Sequence, residues 1–132
     1  SYKKKFVEMM YSDLMTTSDK LENDIDDPSK HAREGVIHLD KGIKIHKFSA
    51  KSERLNKILL TVNAPKLIDF FSLDVEGSEI EVLKGIDFSS YNFKYLLIET
   101  RNFKKISQFL FNRNYKMIEK ITHHDYLFGF DG

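Results

Sequence analysis

The chain contains no cysteine. That excludes disulfides and thiolate metal sites, and it is neutral about redox compartment. Proline is scarce, with only Pro28 and Pro65. No Pro/Gly-rich linker divides the 132 residues, which suits one domain. The six glycines, Gly35, Gly42, Gly77, Gly85, Gly129 and Gly132, are widely spaced, and no G-x-G pattern occurs. No uninterrupted apolar run is long enough to cross a bilayer. No basic-then-apolar leader with a small-residue cleavage site opens the chain. These absences set the expectation of a soluble, cytoplasmic protein without a membrane partner. Neither sign of charge dominates: the formal net charge is +1, so there is no global electrostatic case for nucleic acid. No internal repeat is visible.

What the chain does have is apolar material, 41% hydrophobic and 13% aromatic, enough for a core. It is organised around one stretch, residues 67–85, LIDFFSLDVEGSEIEVLKG. The apolar run Leu67 to Leu73 reads as a strand buried on both faces, as in a parallel sheet. Phe70, Phe71 and Leu73 would each contribute roughly 1.5–3 kcal/mol on full burial. The run ends in Asp74-Val75-Glu76-Gly77. Two carboxylates there are costly if buried and unpaired, so they are expected to face water, a cation or a ligand. Gly77 permits a sharp turn or a close backbone approach. Ser78 to Lys84 reads as a short helix, with Glu79 and Glu81 at its dipole-favoured start, Lys84 near its end and Gly85 as its stop.

Elsewhere the patterns are shorter. Lys3-Lys4-Lys5 reads as a solvated chain end, and Phe6 to Tyr11 as a short strand. Residues 12–35 form a polar loop with an acidic centre, Glu22 to Pro28, that lacks the glycine and spacing of an EF-hand. Within it Thr17 to Glu22 is a candidate for a brief capped helix. Val36 to Leu39 and Gly42 to Phe48 read as strands, and a hairpin joining them is one option. His46 falls on the polar face of the second. A helix is expected from about Glu53 to Val62, with Ser52 as N-cap and Leu55, Ile58, Leu59 and Val62 on one apolar face. Asp87 to Lys94 reads as a loop. Lys94 to Thr100 is a second apolar strand with an acidic end at Glu99. Asn102 is placed to cap a helix carrying Phe103, Ile106, Phe109 and Leu110, stopped by Asn112-Arg113-Asn114. Tyr115 to Thr122 and Asp125 to Phe130 read as a final antiparallel pair. His123 and His124 are adjacent, so on an extended chain they point apart, and no zinc site is expected there.

Asp74-Val75-Glu76-Gly77-Ser78-Glu79, followed by Glu81-Val82-Leu83-Lys84-Gly85, resembles the iDvEGaE.evLkG signature of the FkbM-type methyltransferases. Ser12 to Thr17 is similar to that family's small-residue SglmS segment, and Ser52 to Asn56 to the tLd segment before the signature strand. Leu97-Ile98-Glu99 and Asp125 to Phe128 resemble its later strands. The resemblance runs in order along nearly the whole chain. It implies an α/β fold: the C-terminal half of a Rossmann-like methyltransferase sheet, with parallel strands, crossover helices and a final antiparallel pair. It also implies S-adenosylmethionine as methyl donor and a hydroxyl on a sugar or metabolite, a small-molecule or glycan acceptor, as the receiving group. The family's opening half carries a glycine-rich loop and an acidic residue for the ribose. Neither is found here, so residues 1–132 are expected to be a partial domain, inactive alone, whose uncovered sheet edge promotes self-association.

Within that frame Asp74 and Glu76 are the expected catalytic carboxylates, positioning the acceptor or removing its proton. Alternation would put them on similar sides if strand geometry continued past Leu73. The bland alternative is that Glu76 caps the helix and Asp74 pairs with a lysine. Asp74, Gly77 and Glu99 are the expected cofactor-binding residues. No metal site is assigned, and a divalent metal requirement is left open. Two other classes compete. A strand ending in D-x-E also suits magnesium-dependent phosphoryl transfer, which would want further carboxylates from other strand ends. A non-catalytic interaction module on a methyltransferase-like fold is the third.

Overall fold

A computed structural model describes residues 6–11, 17–18 and 46–132. Its strands are β1 (Phe6–Tyr11), β2 (Thr17–Ser18), β3 (His46–Lys51), β4 (Leu67–Leu73), β5 (Asn92–Glu99), β6 (Tyr115–Lys120) and β7 (Asp125–Phe130). Its helices are α1 (Leu55–Thr61), α2 (Glu79–Lys84) and α3 (Phe103–Phe111). The strands form a small sheet, β2-β1-β3, and a four-stranded one, β4-β5-β7-β6. The fold is α/β with a mixed sheet, compatible with a methyltransferase fold. No helix among the described residues is long and apolar enough to cross a membrane.

In the small sheet β1 pairs antiparallel with β3, Met9 opposite Phe48. Thr17-Ser18 pairs with Met10 and Met9 as a strand, so the helix suggested from Thr17 does not start there. The expected strand around Gly42 to Phe48 continues instead to Lys51, and its described part pairs with β1. The hairpin through Val36 to Leu39, the acidic centre of the polar loop, the lysine run and the side chain of His46 lie outside the described residues.

The larger sheet grows from two parallel strands joined through α2. β4 and β5 pair from Leu67 opposite Asn92 to Leu73 opposite Ile98. β6 and β7 form the antiparallel hairpin expected from their short connection. β7 does not stay on the outside: it inserts between β5 and β6, pairing Leu96 with Phe128 and Glu99 with Asp125. β7 alone therefore runs against its neighbours. A register shift between Met117 and Glu119 bends β6, and Ile118 lies over Gly129, where a Cβ would come 2.6 Å from its Cδ1.

The core lies on one face. Leu73, Leu96, Ile98 and Phe128 from the strands meet Ile80 and Leu83 of α2 and Ile106 and Leu110 of α3. Phe88 touches Phe93, Phe109 and Tyr115 edge-on, with ring centroids 5.8–6.4 Å apart. The buried Tyr115 hydroxyl accepts the Phe93 N–H at 2.8 Å, which ties the start of β6 to the start of β5. Asn102 caps α3 as expected, accepting the Lys105 N–H at 3.2 Å.

Three expectations change here. β4 is not buried on both faces: it ends the sheet order among the described strands, and only Leu73 is fully buried. Phe70 is 53% exposed beside Tyr95 at 48%, while Phe71 is half-buried and stacks on Phe93 at 5.0 Å. An edge strand packed mainly on one side has the same composition as a central one, so the apolar run alone did not separate them. α1 starts after Arg54, not Ser52, and carries no side-chain cap. Its Leu55 and Leu59 pack on the core, but Ile58 and Val62 are exposed, because a helix of seven residues presents a narrow stripe.

Candidate active site at the carboxyl edge of the sheet

The parallel strands β4 and β5 end side by side, and their acidic ends meet. Asp74 follows directly on β4, and Glu99 closes β5. Glu99 pairs across the sheet with Asp125 at the start of β7. Burial first, then the charge of Asp74, a hydrogen bond with its side chain, and the charges of Glu76 and Asp125 push the Glu99 carboxyl up to about 7. Four carboxyl groups from three chain segments thus share one edge. Such crowding favours the neutral acid on one member, and a group poised near neutrality is suited to proton exchange.

The loop that presents Asp74 and Glu76 is tightly wound. β4 stops at Leu73, so the alternation that would have placed the two carboxylates on one side does not continue. Glu76 instead has φ 51° and Gly77 φ 95°, two successive residues in the left-handed region. Glycine tolerates this and a glutamate does so at a cost of roughly 1–2 kcal/mol. The other described non-glycine residues with positive φ are Asn63 and Asn114, each just past a helix. Asparagine is common there, and glutamate is not.

Glu79 has a larger part than the sequence suggested. It lies in the first turn of α2, as the dipole argument expects, but it is only 2% exposed. Its Oε1 accepts the Gly77 N–H at 2.9 Å and the Val75 N–H at 3.4 Å. Glu79 is thus an acid whose carboxyl group receives the amides of this turn. Gly85 ends α2 in ordinary right-handed conformation, φ −81°. The signal that could have found Glu79 is its spacing: an acid two residues after a glycine that follows a strand lies within reach of the turn's amides.

Next to the loop, Thr100 is buried and its hydroxyl accepts the Asn102 N–H at 3.1 Å. Its own N–H donates to the His124 carbonyl at 2.8 Å, extending the β5–β7 pairing past Glu99. Gly77, Glu79 and Ile80 face Thr100, Asn102, Lys105 and Ile106 across a small depression. His123 and His124 are exposed. No group of three or more histidine, aspartate or glutamate side chains among the described residues has an arrangement that would hold a metal ion. A wider groove lies elsewhere, between α1 and the end of α2. Its Lys57 pairs with Glu53 at 2.5 Å, and its Lys84 pairs with Glu81 at 3.2 Å.

Of the expected site residues, Asp74, Glu76 and Glu99 come together, with Asp125 as a fourth carboxyl that the sequence did not single out. Gly77 sits buried in the same turn.

No curated protein and no solved structure matches the chain. A family model described as the methyltransferase FkbM domain matches residues 8–128. That span takes in both sheets, the acidic turn and the strand ends that face it, and the chain belongs to the FkbM methyltransferase family.

Proposed function

We propose that this chain serves methyl transfer from S-adenosylmethionine to a hydroxyl oxygen of a small-molecule or glycan acceptor, on the closing half of a Rossmann-like sheet. The observation that carries the reading is the meeting of Asp74, Glu76 and Glu99 at the carboxyl ends of two adjacent parallel strands, in a member of a methyltransferase family. Ligands of open α/β sheets bind at that edge.

The donor set suits the cofactor. Asp74 and Glu99 offer acceptor oxygens to ribose hydroxyls or to an amine, and Gly77 has no Cβ to obstruct a close backbone approach. S-adenosylmethionine, when bound, supplies an electrophilic methyl group. The residues do the rest. Asp74 and Glu76 hold the acceptor hydroxyl in line and take its proton. Burial and then the charge of Asp74 hold Glu99 up at about 7, so near neutrality its ionised form is there to take up that proton. Four carboxyl groups at one edge repel phosphorylated or carboxylated acceptors, which favours a neutral polyol or a cationic one.

The test, made in a full-length protein that carries residues 1–132, is transfer of a labelled methyl group from S-adenosylmethionine to a panel of sugar and metabolite hydroxyls. Asp74→Asn and Glu76→Gln are expected to lower turnover by about 100-fold or more with an unchanged circular dichroism spectrum. Full turnover in both variants would remove these residues from the mechanism.

A further inference from the structure

Glu79 lies among the core-facing residues of α2, yet a helix start needs no buried acid. Glu81, two residues further along in the same first turn, meets the dipole from a half-buried position and pairs with Lys84 at 3.2 Å. Glu79 is 2% exposed, and a carboxyl group so placed is costly unless its oxygens are hydrogen-bonded. Its side chain turns back past the beginning of its own helix. A single oxygen, Oε1, receives the N–H groups of Val75 and Gly77, at 3.4 and 2.9 Å. These two amides flank Glu76, the residue held at φ 51°. Amides that converge around left-handed residues form a concave nest that binds anions. Here the chain fills the nest with its own carboxyl group. The two amides it holds follow Asp74 and Glu76 directly, so their grip fixes the backbone from which both carboxylates project.

We propose that Glu79 is a positioning residue, whose buried carboxyl group gathers the turn 74–77 so that Asp74 and Glu76 stand against Glu99. The proposal rests on the reading of Asp74 and Glu76 as the acceptor-facing carboxylates, and it adds the group that presents them.

Carbon-13 NMR of the side-chain carboxyl groups in the 132-residue protein tests this independently of turnover. The readout is the Glu99 midpoint, which depends on its burial first and then on how closely Asp74, Glu76 and Asp125 crowd it. Glu79→Gln keeps an acceptor oxygen at the same reach. It is expected to leave the midpoint near 7 and the Gly77 amide protected from exchange. Glu79→Ala is expected to move the midpoint toward the ordinary glutamate range by about one pH unit or more, a tenfold change in proton affinity, and to speed Gly77 exchange by about tenfold. If Glu79→Ala does not fold, Glu79→Asp, one methylene too short to span the turn, replaces it with the same expectations. An unmoved Glu99 midpoint in the shortened variant overturns the proposal. So does an equal shift in Glu79→Gln, which would assign the effect to charge and not to the hydrogen bonds. The two readings separate cleanly. A midpoint that moves as expected while Asp74→Asn retains full turnover defeats the catalytic reading alone. A fixed midpoint with a dead Asp74→Asn defeats the positioning role alone.

Discussion

Glu99 closes β5 beside Asp74, which directly follows the parallel neighbour β4, and burial and then the Asp74 charge hold the Glu99 carboxyl up at about 7. Crowded carboxyl groups at a half-buried edge favour the neutral acid on one of them, so Glu99 is a proton-holding group within the fold. Its consequences can be measured without knowing the methyl acceptor.

The first concerns stability and pH. Folded Glu99 holds its proton more tightly than the unfolded residue, about 7 against 4.5. The stabilising contribution is therefore complete below the unfolded value, declines as pH rises between the two, and is gone above about 7. Partial solvent access discounts the full shift, leaving about 1–3 kcal/mol. Urea denaturation of the wild type should show stability falling across that window. Glu99→Gln, which keeps a donor for Asp74 and cannot ionise, should flatten the slope and exceed the wild type at about pH 8 by that amount. A wild-type stability that does not fall between about pH 5 and pH 8 would contradict the crowding described here.

A second prediction comes from the backbone of Glu76. Its left-handed conformation costs roughly 1–2 kcal/mol, and a glycine there would lose roughly 0.5–1 kcal/mol more chain entropy on folding. Glu76→Gly relieves that strain but also removes the side chain's own interactions, so stability should change by no more than about 1 kcal/mol while methyl transfer falls. This is the pattern of strain retained for function. A drop of more than about 1 kcal/mol in the urea midpoint analysis would mean that the Glu76 side chain holds the turn together.

The third concerns the rim of the sheet. β4 pairs only with β5 among the described residues, and Leu67 and Phe70 are exposed along it. We propose that two copies meet at this edge, since an unpaired, apolar strand edge is a template for pairing. Sedimentation should show association rising with concentration in the wild type and suppressed in Phe70→Lys. A wild-type protein that stays monodisperse at high concentration would refute it.

The parts of this molecule that were legible in its sequence are those set by neighbours along the chain. The run from Leu67 to Leu73, the acidic turn at Asp74 and Glu76, the Asn102 cap and the closing hairpin all follow from local pattern and turn chemistry. What stayed hidden depends on distant partners. Nothing near Leu67 or Phe70 says that their strand lies at a rim. Ile58 and Val62 match a helical stripe, yet the sheet beneath α1 reaches only Leu55 and Leu59. The pairing of Asp125 with Glu99 required knowing that β7 slips between β5 and β6. Glu79 was read as a dipole partner because that reading already accounted for an acid at a helix start. Its burial is a property of α2 against α3, which no window of sequence contains.

The insertion of β7 also bears on synthesis. β7 is the last described strand to leave the ribosome, yet it occupies an interior place, between two strands made before it. Until Asp125 to Phe130 emerge, β5 has a neighbour on one side only and β6 has none among the described strands. Phe128, fully buried, is then absent from the core. That interior place is filled only once these residues are made, and the same pairing brings Asp125 opposite Glu99. A translation product that stops short of Asp125 would lack both the strand that knits the sheet and the last charge of the acidic edge. Folding and the proton balance of the site are therefore completed by the same six residues.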